Sequence, residues 1–186
     1  MIMQSWKRID PTATTQVGHR TIISKTFLMP DASTAQFENY DLEGQEYVAV
    51  IALTEDNKVI TALQFRSGPE RMMYELPGGG VDGNESLDRA VYRELLEETG
   101  YESHEFTYLG FAHKDSLFNA THHYYLARNC KQSGNSQELD LDEHIEVTLL
   151  SIDGFIKEAK LGNISDTSGI FLGYDQLKLI QEEMHA

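Results

Sequence analysis

The sequence predicts an α/β protein, on three observations. β-rich runs flank one well-marked helix between Ser86 and Gly100, helical stretches close the chain, and no repeat, low-complexity tract or linker divides the body between them. A length of 186 residues suffices for one packed domain with a small appended segment. The 40% hydrophobic and 24% charged residues are ordinary for a globular chain in water. A net charge of −15 argues against a nucleic-acid polymer or an anionic membrane as partner. It does not argue against a small anionic substrate, because a bound cation inverts the local field. Cys130 is the single cysteine, which excludes an intrachain disulfide and a cysteine zinc cluster. Residues 1–11 carry no apolar leader core and no run reaches membrane-spanning length, so the expected compartment is the cytoplasm.

Residues 1–40 give short strand-like runs, 21–27 and 37–40, around the turn residues Pro30-Asp31-Ala32-Ser33. This stretch is too small to build its own core, so it must lean on the rest of the chain or on a partner subunit. The expected division is a β segment over 1–43 and the main domain over 44–186. Within the latter, 46–54 (EYVAVIALT) reads as a central strand. Glu55-Asp56-Asn57 turns the chain, and 58–65 returns as the second arm of a hairpin. Arg66 ends that arm; a surface arginine is the usual reading, but its place suits a clamp in which the planar fork matches phosphate oxygens. In the run Tyr74-Glu75-Leu76-Pro77-Gly78-Gly79-Gly80, the proline and glycines predict a sharp turn beside the next helix. A glycine at 78 also leaves its carbonyl free to approach a metal.

The helix itself has Ser86 as N-cap, Asp88 in its positive first turn and Gly100 as a left-handed stop. At about 100° per residue, Glu94, Glu97 and Glu98 share a side with Leu87, Ala90 and Val91. A face built for burial therefore carries three carboxylates at its far end. Such a cluster is costly unless neutralised, and a hard divalent cation with oxygen ligands does that while sharing its shell with phosphates. A solvated acidic face is the plain alternative for these glutamates taken alone.

Beyond the helix, strands are expected over 107–112 and 122–127, joined by a polar loop, 113–121, of the kind that carries specificity. His122 and His123 point to opposite faces and lack a metal-ligand spacing. Asp140, Asp142, Glu143 and Glu146 form a second acidic cluster around the start of a strand over 145–150. A mobile carboxylate there suits a water-activating base. Ser151 caps a short helix to Leu161 with Gly162 as its stop, and a last helix over 166–183 is weakened by Gly169 and Gly173.

Read together, Gly79, Glu85, Arg93, Glu94, Glu97, Glu98 and Gly100 fit G-x5-E-x7-R-E-U-x-E-E-x-G-U, U being aliphatic, with Tyr101 replacing the final aliphatic residue. This resembles the Nudix box, the signature of the Nudix hydrolases. Over residues 46–183 the order of elements suits the α/β/α sandwich with a mixed sheet of that family. The resemblance implies hydrolysis of a nucleoside diphosphate linked to another group, with Mg²⁺ or Mn²⁺. It implies Glu94, Glu98 and the Gly78 carbonyl as metal ligands, with Glu97 as a further ligand or base. Arg93 would orient these carboxylates, Glu85 would support the loop or bind a metal, and Arg66 and Glu146 would contact substrate.

The Q-F-R…Y-E-L-P-G-G run, D-E-x-I-E-V at 142–147 and G-x-I-S-D at 162–166 look most like the ADP-ribose and sugar-nucleotide pyrophosphatases. That group places a catalytic glutamate at the position of Glu143 and often pairs through an N-terminal β segment, implying a homodimer. The S-P-G of ADP-ribose pyrophosphatases is absent, because the region reads Lys114-Asp115-Ser116-Leu117-Phe118. Two alternatives stand beside this reading: a nucleotide sensor of the same fold without turnover, and a housekeeping hydrolase of nucleoside triphosphates. Loss of a box carboxylate or of Arg93 would mark the sensor, and none is lost.

Overall fold

The structure, a computed structural model, describes residues 5–18, 20–40, 43–134, 137, 139 and 144–185, without the side chains of 10–12 and 185. Two compact units emerge. One comprises residues 1–45 with 113–121, the other 46–112 with 122–186.

The smaller unit is an antiparallel sheet of β1 (Lys7–Val17), β2 (Arg20–Leu28) and β3 (Thr34–Tyr40). β1 went unread in the sequence because Asp10-Pro11 interrupts it, and the register with β2 does shift between Ile9 and Ala13. The loop 113–121, assigned from sequence to the main domain, belongs with this sheet. Tyr40 N–H donates to the Leu117 carbonyl at 2.8 Å, and the Tyr40 and Phe118 rings lie 5.5 Å apart. Of the three strands, Ile23 is the one buried hydrophobic residue among those described, while Trp6, Val17 and Phe37 are exposed.

The larger unit is built on β4 (Glu46–Thr54) and its hairpin partner β5 (Val59–Arg66). Asn57 takes the left-handed conformation that the intervening turn needs, at φ 56°. β6 (Arg71–Glu75) pairs with β5, and β7 (Gly78–Gly80) pairs with β4. After helix α1 (Leu87–Thr99) come β8 (Tyr101–Glu102), β9 (Glu105–Ala112), β10 (Thr121–Gln132) and β11 (Glu146–Leu150). Helices α2 (Ile152–Lys160) and α3 (Thr167–His185) complete it. The sheet runs β11-β5-β4-β10-β8, with β6, β7 and β9 attached to β5, β4 and β10.

Alternation along β4 divides the core in two. Val48, Val50 and Ala52 pack with Ala90, Val91 and Leu95 of α1. Ala49, Ile51 and Leu53 pack with α2 and α3 through Phe155, Ile170 and Leu177. The result is the expected layering of helix, sheet and helix. Tyr101, the departure from the box pattern, packs against the α1-side cluster. Gly169 and Gly173, read as weak points of the last helix, serve close approach instead. A Cβ on Gly169 would stand 2.5 Å from the Tyr124 ring, and one on Gly173 would stand 2.5 Å from Ile51 Cδ1.

Candidate active site

The expected N-cap and stop of α1 are both in place. Ser86 Oγ accepts from Arg89 N–H at 3.4 Å, and Gly100, at φ 70°, donates its N–H to the Leu96 carbonyl at 2.8 Å. The helix rests on β4 through small and aliphatic residues, and this sets Glu94 and Glu98 inward, 9% and 7% exposed.

The glycines before the helix do not make the sharp turn expected of them. Gly78–Gly80 is extended and antiparallel to β4, with Ala49 opposite Gly78 and Tyr47 opposite Gly80. Their lack of side chains serves proximity. A Cβ on Gly78 would lie 2.2 Å from the Val48 carbonyl oxygen, and one on Gly79 would lie 2.4 Å from Glu94 Oε1. Gly78 N–H donates to Glu98 Oε2 at 2.8 Å. The glycine strand and the two inward carboxylates of α1 are thus in direct contact.

Arg93 is the hub of the remaining carboxylates. Its Nη1 donates to Glu94 Oε1 at 2.8 Å and to Glu97 Oε2 at 3.0 Å. Its Nε and Nη2 reach Glu85 at 3.2 and 3.0 Å, and Nη2 also donates to the Gly80 carbonyl at 2.9 Å. Three carboxylates therefore share one guanidinium. Hydrogen bonding to Glu85, then Glu97, and the charge of Glu94 hold Arg93 firmly protonated, while the Arg93 hydrogen bond holds Glu85 below the usual carboxylate range. A cavity of about 520 Å³ is lined by Glu85, Arg93 and Glu97 together with Tyr92, His104 and Phe106.

Arg66 closes β5 as expected, but its fork is partly engaged. Nε donates to Glu75 Oε1 at 2.6 Å, and Nη2 also bonds this carboxylate. Gln64 Nε2 donates to Glu75 Oε2 at 3.1 Å. The Glu75 hydrogen bond raises the Arg66 pKa, with Glu98 and Asp166 adding to the field. Glu146 sits opposite Leu63 at the start of β11, exposed. Asp140, Asp142 and Glu143 lie outside the described residues. Asp166, quoted from the tail motif without a role, proves to accept from Leu76 N–H at 3.2 Å. Sequence spacing gave no hint of that contact, because 90 residues separate the two.

Among the described residues, no three His, Cys, Asp or Glu side chains are gathered to hold a metal as they stand. The donor chemistry nonetheless fits a hard divalent cation. Glu94 and Glu98 are buried oxygen donors one helical turn apart, Glu97 neighbours them, and Gly79 leaves room beside Glu94 that a Cβ would fill.

Comparison with known proteins follows this geometry. Residues 45–167 match the family model described as NUDIX domain. The chain is 32% identical over 133 residues to an ADP-ribose pyrophosphatase of Bacillus subtilis (strain 168), covering 70% of this chain and 72% of the relative. It is 31% identical over 143 residues to a methanol dehydrogenase activator of Bacillus methanolicus, covering 76% of each. A solved structure titled "Crystal structure of ADP compounds hydrolase" superposes with a TM-score of 0.79 at 20% identity, over 96% of this chain and 97% of that one, a likeness of fold.

Proposed function

Since the chain belongs to the Nudix hydrolase family, we propose that it is a Mg²⁺-dependent pyrophosphohydrolase of ADP-ribose or a similar nucleoside diphosphate sugar. The observation that carries this reading is the contact of Gly78–Gly80 with Glu94 and Glu98, backed by Arg93 on Glu85, Glu94 and Glu97. Similarity to the Bacillus subtilis ADP-ribose pyrophosphatase over most of the chain supports the substrate class.

Glu94, Glu98 and the Gly78 carbonyl would hold the cation, with Glu97 as a further ligand or base. When bound, Mg²⁺ (or Mn²⁺) neutralises pyrophosphate oxygens and polarises the attacked phosphorus. Arg93 fixes Glu94 and Glu97 from the side, so that their carboxylates are already oriented. Arg66 turns Nε and Nη2 to Glu75, which leaves Nη1 for a phosphate oxygen. Glu146, exposed at the mouth of β11, would contact the substrate. Glu143 would take the proton of the attacking water as the new P–O bond forms and the anhydride P–O bond breaks. The products are a nucleoside monophosphate and a sugar phosphate.

The exposed apolar residues of β1–β3 support assembly as a homodimer through that sheet. The test of function is a panel of ADP-ribose, other nucleoside diphosphate sugars, dinucleotides and nucleoside triphosphates with Mg²⁺, products resolved by chromatography. AMP with ribose phosphate from ADP-ribose is the expected result. Release of inorganic pyrophosphate from triphosphates, with ADP-ribose untouched, would overturn the assignment.

A further inference from the structure

The residues Leu76, Pro77 and Gly78, which lead into the glycine strand, are each fixed by a different element. Gly78 N–H donates to Glu98 Oε2 of α1 at 2.8 Å. The Pro77 carbonyl accepts from Val50 N–H of β4 at 2.9 Å. Leu76 N–H donates to Asp166 Oδ2, at the entrance to α3, at 3.2 Å. Two carboxylates from opposite layers thus hold amides two residues apart.

Asp166 is itself closely placed. The chain before it adds to the outer edge of β6: Tyr74 N–H donates to the Asn163 carbonyl at 2.9 Å, and Ser165 N–H to the Tyr74 carbonyl at 3.3 Å. Ile164 is buried in the α3-side core. Ser165 Oγ donates to Asp166 Oδ2 at 3.1 Å. After Asp166, Gly169 lets α3 settle against Tyr124 and Leu76 without a side chain between them. Asp166 is 8% exposed, and a carboxylate is costly to bury unless donors meet it.

We propose that Asp166 is a positioning residue for the metal-binding end of the site, acting through the Leu76 amide to fix where Gly78 meets Glu98. The inference rests on the reading of Glu98 as a metal ligand. Without its acceptor, the buried Leu76 amide loses its partner, the segment relaxes, and Gly78 no longer holds Glu98 in place.

The test uses the full chain and Mn²⁺ binding followed by electron paramagnetic resonance, with amide hydrogen exchange over residues 74–80. Asp166→Ser keeps a hydroxyl suited to capping α3 but is too short to reach Leu76. It is expected to weaken Mn²⁺ binding by about 10-fold, the low end for a residue that supports a ligand from behind. Protection at Leu76 and Gly78 should be lost. Asp166→Asn retains an acceptor oxygen and should restore both affinity and protection. Parent-like Mn²⁺ affinity in Asp166→Ser overturns the inference, and so does Asp166→Asn binding as weakly as the serine variant while its Leu76 amide stays protected. If Asp166→Ser does not fold, Asp166→Asn decides. A protected Leu76 amide with parent affinity supports the inference, and an unprotected one with parent affinity refutes it. Glu98→Gln runs alongside: its parent-like Mn²⁺ binding would sink the metal-site reading, whereas weak binding there beside parent-like Asp166→Ser sinks only this inference.

Discussion

Gly79→Ala separates the proposed chemistry from the stability of the fold. The new Cβ would stand 2.4 Å from Glu94 Oε1, 2.7 Å from its Cδ and 2.8 Å from Oε2. Ordinary contact begins near 3.4 Å, so the carboxylate must retreat by 3.4 − 2.4, or 1.0 Å. What yields is the end of a flexible side chain, with no backbone atom among the near neighbours. The Arg93–Glu94 hydrogen bond at 2.8 Å is then broken or stretched. A charge-assisted bond is worth about 1.5–3 kcal/mol when buried, and less here because Arg93 is partly exposed. Replacing glycine by alanine returns about 0.4–1 kcal/mol through the unfolded chain. The net change in stability should be about 1 kcal/mol or less. Misplacing a catalytic group by 1 Å, in contrast, costs about 10² in rate. Initial rates of AMP release from ADP-ribose at saturating Mg²⁺, beside a thermal melt, test the contrast. A kcat within about threefold of the parent would refute the reasoning, as would a melting point that collapses while activity per folded molecule is kept.

Further outcomes follow from the same contacts. Glu85 is held below its ordinary pKa by Arg93, so its contribution to stability is present above about pH 4.3 and is lost as pH falls through the lower folded value. Thermal melts below pH 4.3 should therefore fall more steeply for the parent than for Glu85→Gln, and parallel curves would contradict the assignment. Gly169→Ala places a Cβ 2.5 Å from Tyr124 and 2.9 Å from Leu76, and overpacking of this kind costs about 1–3 kcal/mol in a denaturant melt. A neutral variant would show that α3 does not sit so close. Light scattering should give twice the chain mass of 21.1 kDa, and Phe37→Asp, placed beside Trp6 and Phe27, should halve it; a monomeric parent sinks the dimer. Glu143→Gln should lower kcat by about 10²–10⁴ with Mn²⁺ affinity unchanged, the range for a lost general base. Near-parent activity would move the base to Glu97 or Glu146.

The box helix was legible because its information is local. Ser86, the spacing of Leu87, Ala90 and Val91, and Gly100 each act within a turn or two, and the helix begins and ends where they indicate. β4 was equally plain, since a run buried on both faces reads as continuous apolar sequence. β1 was not, because a strand crossed by Asp10-Pro11 carries no clean alternation. The glycines at 78–80 were expected both to turn the chain and to leave room for a close approach at Gly78, and the structure has them extended, with the close approach made by Val48 and Glu94. Composition alone cannot distinguish the two, because both use the missing Cβ. Glu75 on Arg66 and Asp166 on Leu76 were illegible for want of any local pattern. Such contacts join residues through the fold, and a single sequence records only their presence.

The way the pieces meet follows from one strand. Ala49, Ile51 and Leu53 of β4 pack toward α3, and Val48, Val50 and Ala52 pack toward α1, so the sheet separates the two cores. They act on a common segment where the chain leaves β6 and pairs again with β4 as β7. There the backbone amides of Leu76 and Gly78 find carboxylates from both layers, Asp166 and Glu98. If Glu98 holds the cation as proposed, the metal end of the site would depend on both cores at once, and a change in the packing of α3 would reach Glu98 through two hydrogen bonds.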